Sequence, residues 1–298
     1  MNFHQDIRDY IKDELRYFKI EYSPSPDIDQ DLLKLFTIHR KLIIPIHRQV
    51  KMSKELQKKI SGNYKYRSEI GRLWQMLQEG IDVNAHQTKN LFNPNVHDHL
   101  VYDWNIYHLH LSFEKDKKGY HTKRTKEILF VYITPGLALL LDVCGHPPHN
   151  VFADKVFLEI IDNNWPEILT AIAGVDALSQ DISTQDRFTL RKHNVNEGAL
   201  EVNGRIVYAP GLGQASSGHS AGEVMKMNQM NRWLKTNEEI IMQNREMVDK
   251  LFMHQYKLEE RPAYKIVFTG QGPQVQDENS GICLVKYLEI IPINTGKS

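Results

Sequence analysis

The chain has 298 residues, and its 37 Lys and Arg residues balance 37 Asp and Glu residues, so its formal net charge is zero when the histidines are neutral. Hydrophobic residues make up 41% and charged residues 25%, ordinary globular values that argue against wholesale disorder. Zero net charge excludes a uniformly basic nucleic-acid coat, but it leaves room for local basic patches. Two cysteines, Cys144 and Cys283, are too few for a disulfide framework.

The sequence shows neither of the two patterns that would direct the chain to a membrane or to secretion. No stretch approaches the ~18 uninterrupted apolar residues that a transmembrane helix needs. The first residues, MNFHQDIRDYIKDEL, carry acids and lack the apolar core of a signal peptide. We therefore expect a cytoplasmic location and no membrane partner.

The first hundred residues show apolar side chains at helical spacing. Ser53 has the position of an N-cap, because a helical pattern begins directly after it. The prolines of SPSP at 23–26 stop the first helix. We predict a helical N-terminal region over 1–98 that serves RNA or partner binding, with helices at 3–18, 31–43, 54–60 and 68–78.

From about residue 99 the pattern changes to β-branched and aromatic runs, which are typical of strands. Asn203-Gly204 is a strong two-residue hairpin signal. The sequence predicts an α+β fold, in which the helical region is followed by a small, mainly antiparallel sheet with flanking helices, and an α+β catalytic region over 99–298. Its predicted strands are 100–104, 106–113, 128–134, 137–143, a hairpin around 203–204, 263–269 and 282–291; its helices are 154–163 and one long helix over 223–256.

The densest chemistry lies in DWNIYHLHLS at 103–112. Alternate residues of a strand share a face, so His108, His110 and Ser112 are expected on one side together with Ile106. Two imidazoles at this spacing can form a metal pair, act as acid and base, or surround a phosphate as cations. A solvated strand face that carries two histidines is the simpler alternative.

Basic residues follow in the hairpin at 114–126. Arg124 lies four residues before a predicted buried strand, where its planar fork could hold a phosphate through two hydrogen bonds. His146 stands in GHPPH at 145–149, on a proline-flanked turn after the next strand. We expect His108, His110, Arg124 and His146 to form the catalytic set, with Asp103, Lys123, Lys126, Ser217 and His219 as substrate-binding residues.

Two mechanisms can use the catalytic set. In one, His108, His110 and His146 bind Zn²⁺ or another divalent ion, with Asp103 as ligand or base, although no HExxH or CxxC signature is present. In the other, no metal is needed: one histidine removes the ribose 2′-OH proton, another protonates the leaving 5′-oxygen, and Arg124 stabilises the charged phosphorane. The composition of the site fits the second better, so no cofactor is expected, with a divalent metal as the alternative.

A family resemblance rests on DWNIYHLHLS, the basic residues up to Arg124, ILFVYIT, LDVCGH and FADKVFLEIIDNNWPE. Together these resemble a bacterial group of small proteins that carry D-W-x-x-x-H-L-H-L, over about 40–235. That group is distantly similar, over about 100–165, to the RelE-like ribonuclease toxins of toxin–antitoxin and phage-defence systems. In those toxins a small antiparallel sheet flanked by helices cuts RNA without a metal. The resemblance implies an endoribonuclease with His108, His110, Arg124 and His146 in its active site.

Three other segments carry hypotheses. Residues 34–72 contain eleven Lys and Arg among aromatic side chains, which is typical either of a single-stranded RNA surface or of a solvated helical face. The Gly/Ser-rich loop at 211–220 could cradle a phosphate or simply cap the helix after it. Methionines along 225–253 predict core packing or an oligomer interface. Expected partners are RNA, an antitoxin or other regulatory protein, and a second copy in a homodimer. A non-catalytic nucleic-acid-binding regulator is the remaining alternative.

Overall fold

The computed structural model describes residues 1–117, 119–145, 152–180, 182–269 and 272–284. The chain divides into two compact units: the first combines 1–36 with 223–298, and the second comprises 37–222. The predicted boundary at 98/99 stays a prediction; in this division strand β1 (Gln49–Met52) joins the sheet of the second unit, and the helical segment that follows it, 54–79, lies in the same unit.

The second unit is built around a four-stranded sheet. Strands β2 (Ile106–His110), β3 (Glu127–Ile133) and β4 (Leu137–Gly145) pair antiparallel, and β1 runs parallel to β4, so the strand order is β1-β4-β3-β2. β3 and β4 are buried on both faces, which explains why they read as continuous apolar runs rather than alternating ones. Their predicted hairpin is confirmed.

Both faces of this sheet are covered. On one face, Leu109 and Val131 pack with helices α3 (Lys54–Ile60) and α4 (Arg67–Glu79). On the other, Phe130 stacks on Phe157 of α6 with ring centroids 4.2 Å apart. The second face is completed by α6 (Val156–Asn164), the hairpin β5 (Ala199–Val202) and β6 (Arg205–Tyr208), and α5 (His99–Trp104); α7 (Thr184–Lys192) follows α6 along the chain.

The first unit contains α1 (Phe3–Tyr17), most of α2 (Ile28–Lys41), α8 (Ala221–Gln243), α9 (Arg245–Tyr256) and the hairpin β7 (Tyr264–Thr269) and β8 (Gly272–Asp277). Tyr10 stacks on Phe268 with ring centroids 3.6 Å apart, and the Asp6 carboxylate accepts the Ile266 N–H at 2.7 Å. α1 is therefore fixed to β7 by apolar and polar contacts together.

Several predicted elements are confirmed. Ser53 caps α3, since its hydroxyl accepts the Leu56 N–H at 2.9 Å. Asn203 and Gly204 both have positive φ, as the two-residue turn between β5 and β6 requires. The α+β class, with helices at the N-terminus and flanking a mainly antiparallel sheet, is confirmed as well.

The predicted strand at 100–104 is wrong, because these residues form helix α5. Asp98 caps this helix by accepting the Val101 N–H at 3.2 Å, and Asn105 ends it in the left-handed conformation at φ 57°. Leu100 and Trp104 then lie one turn apart and enter the same apolar core. Local capping and packing thus override the strand propensity of these side chains.

Two further predictions need correction. The long helix over 223–256 is two helices, α8 and α9, which meet at Asn244. The second C-terminal strand is β8, which lies in the segment predicted to be a loop, whereas 282–284 contributes only an isolated bridge between Cys283 and Gln276 and 285–291 lies outside the described residues. β1 and α7 were not predicted. In the described part of the chain, no helix has the length and apolar character needed to cross a membrane.

Candidate functional site

The predicted histidine pair lies on β2, at the edge of the sheet. His108 is half-buried against the rings of Phe130 and Phe152, at centroid distances of 6.5 and 5.4 Å. His110 is 1% exposed, and its Nδ1 accepts the Thr125 N–H at 3.2 Å. The two share the face of Ile106, as strand alternation predicts, but that face packs on the core that contains α6. In this structure the imidazole of His110 is held within the fold.

The predicted cations lie on the segment between β2 and β3. Arg124 and Lys126 are exposed, and Lys123 forms an exposed ion pair with Glu114. His146 lies outside the described residues. The convergence of the four proposed catalytic residues in one cleft therefore stays a prediction.

A second cluster of functional side chains forms around α5, where the Gly/Ser-rich loop folds back onto the helix. The N–H groups of Gly211 and Gly213 donate to the carbonyl oxygens of Asp103 and Tyr102, at 2.7 and 3.0 Å. A Cβ on residue 211 would lie 2.2 Å from the Tyr102 carbonyl oxygen, so only glycine permits this approach. These N–H groups are engaged within the chain, which removes them from the predicted phosphate cradle. Ser217 is exposed at the tip of the loop.

The docked loop brings His219 to the start of α5. Its ring lies 5.0 Å from that of His97, centroid to centroid, and its Nδ1 is 3.0 Å from the Thr37 hydroxyl. The ring centroids of His97 and His99 lie 6.0 and 6.3 Å from the ring centroid of Tyr102. Two half-buried imidazoles, His97 and His99, therefore lie beside the buried Tyr102, and a third, His219, lies beside His97.

The environment of these histidines favours their neutral forms. Burial lowers the pKa of His97 to about 4, and repulsion from His219, His99 and Lys41 adds to the effect. Burial also lowers the pKa of His219. For His99, burial lowers the pKa, while the Asp103 carboxylate opposes that shift. At neutral pH these shifts favour the unprotonated form of all three imidazoles.

A buried ion pair joins α5 to α7. The Arg191 Nε donates to Asp103 Oδ2 at 2.5 Å, and the Arg191 side chain is 5% exposed. The guanidinium lies 4.5 Å from the centroid of the Trp104 ring. Burial raises the pKa of the Asp103 carboxyl, and the adjacent guanidinium partly offsets this. The residue that the sequence suggested as a substrate contact is thus held by an arginine 88 positions further along the chain.

This pair is incompletely hydrogen-bonded. Within the described part of the chain, Asp103 Oδ1 and Arg191 Nη2 are buried without a hydrogen-bond partner. Buried polar atoms are nearly always satisfied in folded proteins, so a group of such atoms needs an explanation, for which a bound water or ligand is a common one.

A cavity of about 190 Å³ opens at this pair. Its polar lining comes from the Asp103–Arg191 pair, from Asn196 and from Glu197, whose carboxylate is held by Arg187. Apolar side chains form much of the remaining wall, and two of them, Tyr208 and Leu212, are 52% and 64% exposed. The cavity lining includes Asp103, Trp104, Arg191, Glu197, Tyr208 and Leu212.

The basic segment at 34–72 is largely engaged within the chain. Lys41 donates to the carbonyl oxygens of Asn90, Asn93 and Val96 at 3.3, 2.6 and 3.0 Å, and burial lowers its pKa to about 8. Seven of the eleven cations have such contacts, namely Lys34, Arg40, Lys41, Arg48, Lys59, Lys65 and Arg72. Much of the predicted RNA surface therefore supports the fold.

Sequence reasoning missed His97, His99 and Arg191. His99 and Asp103 are four residues apart, a spacing that would place them on one helical face, but the segment was read as a strand. Arg191 carried no local signal, since its partner is far away in sequence. Among the described residues, no group of three or more His, Cys, Asp or Glu side chains is arranged to hold a metal ion.

Comparison with family models, with curated proteins and with solved structures gives no match, so the chemistry of this site is argued from the chain itself.

Proposed function

We propose that this protein is a metal-independent endoribonuclease of toxin or phage-defence type that acts in the cytoplasm, and that the histidines around α5 supply its acid–base chemistry. The observation that carries the proposal is the grouping of three histidines next to the Asp103–Arg191 pair: the rings of His97 and His99 lie beside Tyr102, and the ring of His219 lies beside that of His97. Imidazoles are the side chains best suited to proton transfer near neutral pH.

RNA cleavage of this kind needs two proton transfers. A base takes the proton of the ribose 2′-OH, and the 2′-oxygen attacks phosphorus; an acid then protonates the departing 5′-oxygen, leaving a 2′,3′-cyclic phosphate and a 5′-hydroxyl. His97 and His219 face each other at 5.0 Å, so one can receive a proton while the other, once protonated, gives one up. Nδ1 of His219 lies at the Thr37 hydroxyl, which orients the ring.

This assignment moves the acid–base pair away from β2. His110 is 1% exposed, whereas the three imidazoles around α5 are half-buried. A substrate phosphate must come within hydrogen-bond reach of its acid and base, so accessible imidazoles support catalysis better than an enclosed one. His108, His110, Arg124 and His146 remain the competing catalytic set, implied by the family resemblance.

The test compares both histidine pairs in the full chain. Cleavage of an end-labelled RNA is followed with and without EDTA for wild type, for His97→Gln and His219→Gln, and for His108→Gln and His110→Gln. His193→Gln serves as the matched control, because His193 is an exposed histidine outside both pairs. We expect the first pair to lose at least about 100-fold in cleavage rate while near-UV circular dichroism is kept.

Each other outcome has a definite meaning. Loss confined to the β2 pair would return the active site to His108 and His110 and overturn the α5 assignment. Inhibition by EDTA that added Mg²⁺ or Zn²⁺ reverses would establish the metal-dependent alternative. RNA binding without cleavage by wild type would leave the non-catalytic regulator, for which loss of binding on changing the exposed Lys54 and Lys58 would be the positive sign.

A further inference from the structure

Two basic segments that are distant in the sequence meet at one end of the central sheet. One comprises 58–67, in and after α3, and the other comprises 124–126, directly before β3. The Tyr64 hydroxyl donates to Glu127 Oε2 at 2.7 Å, and Lys65 Nζ lies 3.4 Å from the same oxygen. Since Glu127 is the first residue of β3, these contacts bring the two segments to the same end of the sheet.

The end of β4 completes this surface. Glu127 pairs with Gly145, the last residue of β4. Lys59 Nζ donates to both carboxylate oxygens of Asp142 at 2.7 and 2.8 Å, and to the Val143 carbonyl oxygen at 2.7 Å. We call the exposed face formed by these elements the basic surface; its cations are Lys58, Lys59, Lys65, Arg67, Arg124 and Lys126.

Positive charge is in excess at the basic surface. Its six cations are accompanied by three neighbouring carboxylates, and two of these, Glu127 and Asp142, are already engaged by the lysines of the surface. The four other cations are exposed and have no ion-pair partner among the described residues; these are Lys58, Arg67, Arg124 and Lys126. The third carboxylate is that of Glu69 in α4. A local excess of this kind attracts a polyanion even when the whole chain is neutral.

Two tyrosine rings lie among these cations. Tyr64 and Tyr66 are half-buried, and their rings meet edge to face with centroids 6.3 Å apart. Lys65 Nζ lies 4.7 Å from the centroid of the Tyr66 ring. A phosphate held by Lys65 therefore has an aromatic ring beside it for the adjoining base. Cations that follow the backbone, with aromatic rings for the bases, are typical of surfaces that bind single-stranded nucleic acid.

The basic surface is separate from the histidines around α5. Ile133 ends β3, and its N–H donates at 3.0 Å to the carbonyl oxygen of Asn105, which ends α5. At a rise of ~3.3 Å per residue, the seven residues of β3 place about 20 Å between its two ends. RNA bound at the basic surface thus occupies a different part of the second unit from the proposed acid–base pair.

We infer that the basic surface is a docking site for single-stranded RNA, which holds phosphates at the cations of both segments and one base against the Tyr66 ring. The inference rests on the proposed function in taking RNA as the polyanion. It also redefines the RNA surface expected over 34–72, because the second segment, 124–126, now forms part of it. An acidic protein would use the cations alone, so contact with a base separates the two partners.

Binding is measured on the full chain by fluorescence anisotropy with a labelled 2′-O-methyl RNA, which lacks the 2′-OH and so cannot be cut. The double variant Arg67→Gln, Lys126→Gln removes one cation from each segment. It should bind at least about tenfold more weakly at ~0.1 M salt, and the slope of log K against log salt concentration should become less steep by about 1.4. Lys12→Gln with Lys250→Gln is the matched control, since it removes two exposed lysines in the other unit, and it should follow wild type.

A second variant tests the contact with a base. Tyr66→Leu keeps an apolar side chain against the core and removes the aromatic ring. It should weaken binding of the single strand at least about fivefold while the salt slope stays that of wild type, because a stacking contact and no phosphate contact is lost. Far-UV circular dichroism checks that the variant is folded.

The partner is identified by competition. A single strand should displace the labelled RNA at lower concentration than a duplex of the same sequence or polyglutamate. Equal displacement by the duplex or by polyglutamate, equal weakening in the two double variants, or wild-type binding in Tyr66→Leu would overturn the inference. The proposed function fails separately. Binding at this surface without cleavage of ordinary RNA keeps the docking site and loses the nuclease, whereas cleavage that depends on His97, with wild-type binding in the Arg67 and Lys126 variant, keeps the nuclease and loses the docking site.

Discussion

Arg187 and Arg191 stand one turn apart on α7, and each is buried beside a carboxylate, yet their surroundings differ. Arg187 donates to both oxygens of Glu197 and to the carbonyl oxygens of Ala153 and Ile182. Arg191 donates to one oxygen of Asp103 and to the Phe152 carbonyl. We call Arg187–Glu197 the closed pair, because Arg187 bonds both carboxylate oxygens, and Arg191–Asp103 the open pair, because Asp103 Oδ1 and Arg191 Nη2 have no hydrogen-bond partner among the described residues.

The reason lies in what each pair connects. Arg187 and Glu197 are ten positions apart, so a short stretch of chain sets their geometry. Asp103 and Arg191 are 88 positions apart, and they meet only when helices α5 and α7 are both in place. A buried polar network in which some groups lack hydrogen-bond partners destabilises a fold. We therefore expect substitutions at the closed pair and at the open pair to have different effects on stability.

The largest expected effect is the loss of the closed pair. Arg187→Ala leaves Glu197 buried without a cation, since its side chain is 8% exposed, and should lower the free energy of unfolding by about 3–5 kcal/mol. The measurement is urea unfolding followed by circular dichroism. Gln185→Ala on the exposed side of α7 is the control and should stay within about 0.5 kcal/mol of wild type. A change of less than 1 kcal/mol in Arg187→Ala would show that the pair is not an anchor.

A smaller loss of stability is expected from a substitution in the loop at 211–220, which contacts Asp103 of the open pair. In Gly211→Ala the added Cβ would meet the Tyr102 carbonyl oxygen at 2.2 Å, and the hydrogen bond from residue 211 to Asp103 would be strained. We expect a loss of about 1–3 kcal/mol in the same unfolding assay. Gly136→Ala has open space around its Cβ and serves as control. If both variants unfold alike, the loop does not hold Asp103 in place.

The smallest expected effect is a pH dependence of stability that arises from His97. The folded-state pKa of His97 is about 4, below the unfolded value near 6.5. The folded protein thus binds fewer protons, so the stabilising contribution is complete above pH 6.5 and is lost as pH falls towards 4. The solvent-exposed part of the ring keeps the effect to about 1 kcal/mol or less.

Unfolding midpoints at pH 7 and pH 5 check this for His97→Gln, whose midpoint should fall less on acidification than that of wild type. His193→Gln should follow wild type, because this exposed histidine lies outside the cluster. An identical pH response in all three proteins would mean that His97 is not held in its neutral form.

Prediction from sequence was sound where the signal was local. The apolar runs of β3 and β4, the Asn203-Gly204 turn and the Ser53 cap are each encoded within a few residues. It erred at 100–104, where β-branched and aromatic side chains suggested a strand but Asp98 and Asn105 define a capped helix. That error concealed the i, i+4 relation between His99 and Asp103, and with it the first clue to the cluster.

Local patterns were enough to predict the α+β class, the central antiparallel strands and the face shared by His108 and His110. Which charged groups meet depends on the packing of segments that are distant in the chain. The Thr37 hydroxyl contacts His219, which is 182 positions away in the chain, and Asp103 pairs with Arg191, which is 88 positions away. Propensities and hydrophobic periods express interactions over a few residues, whereas a site of this kind is made by contacts between distant segments that no local pattern records.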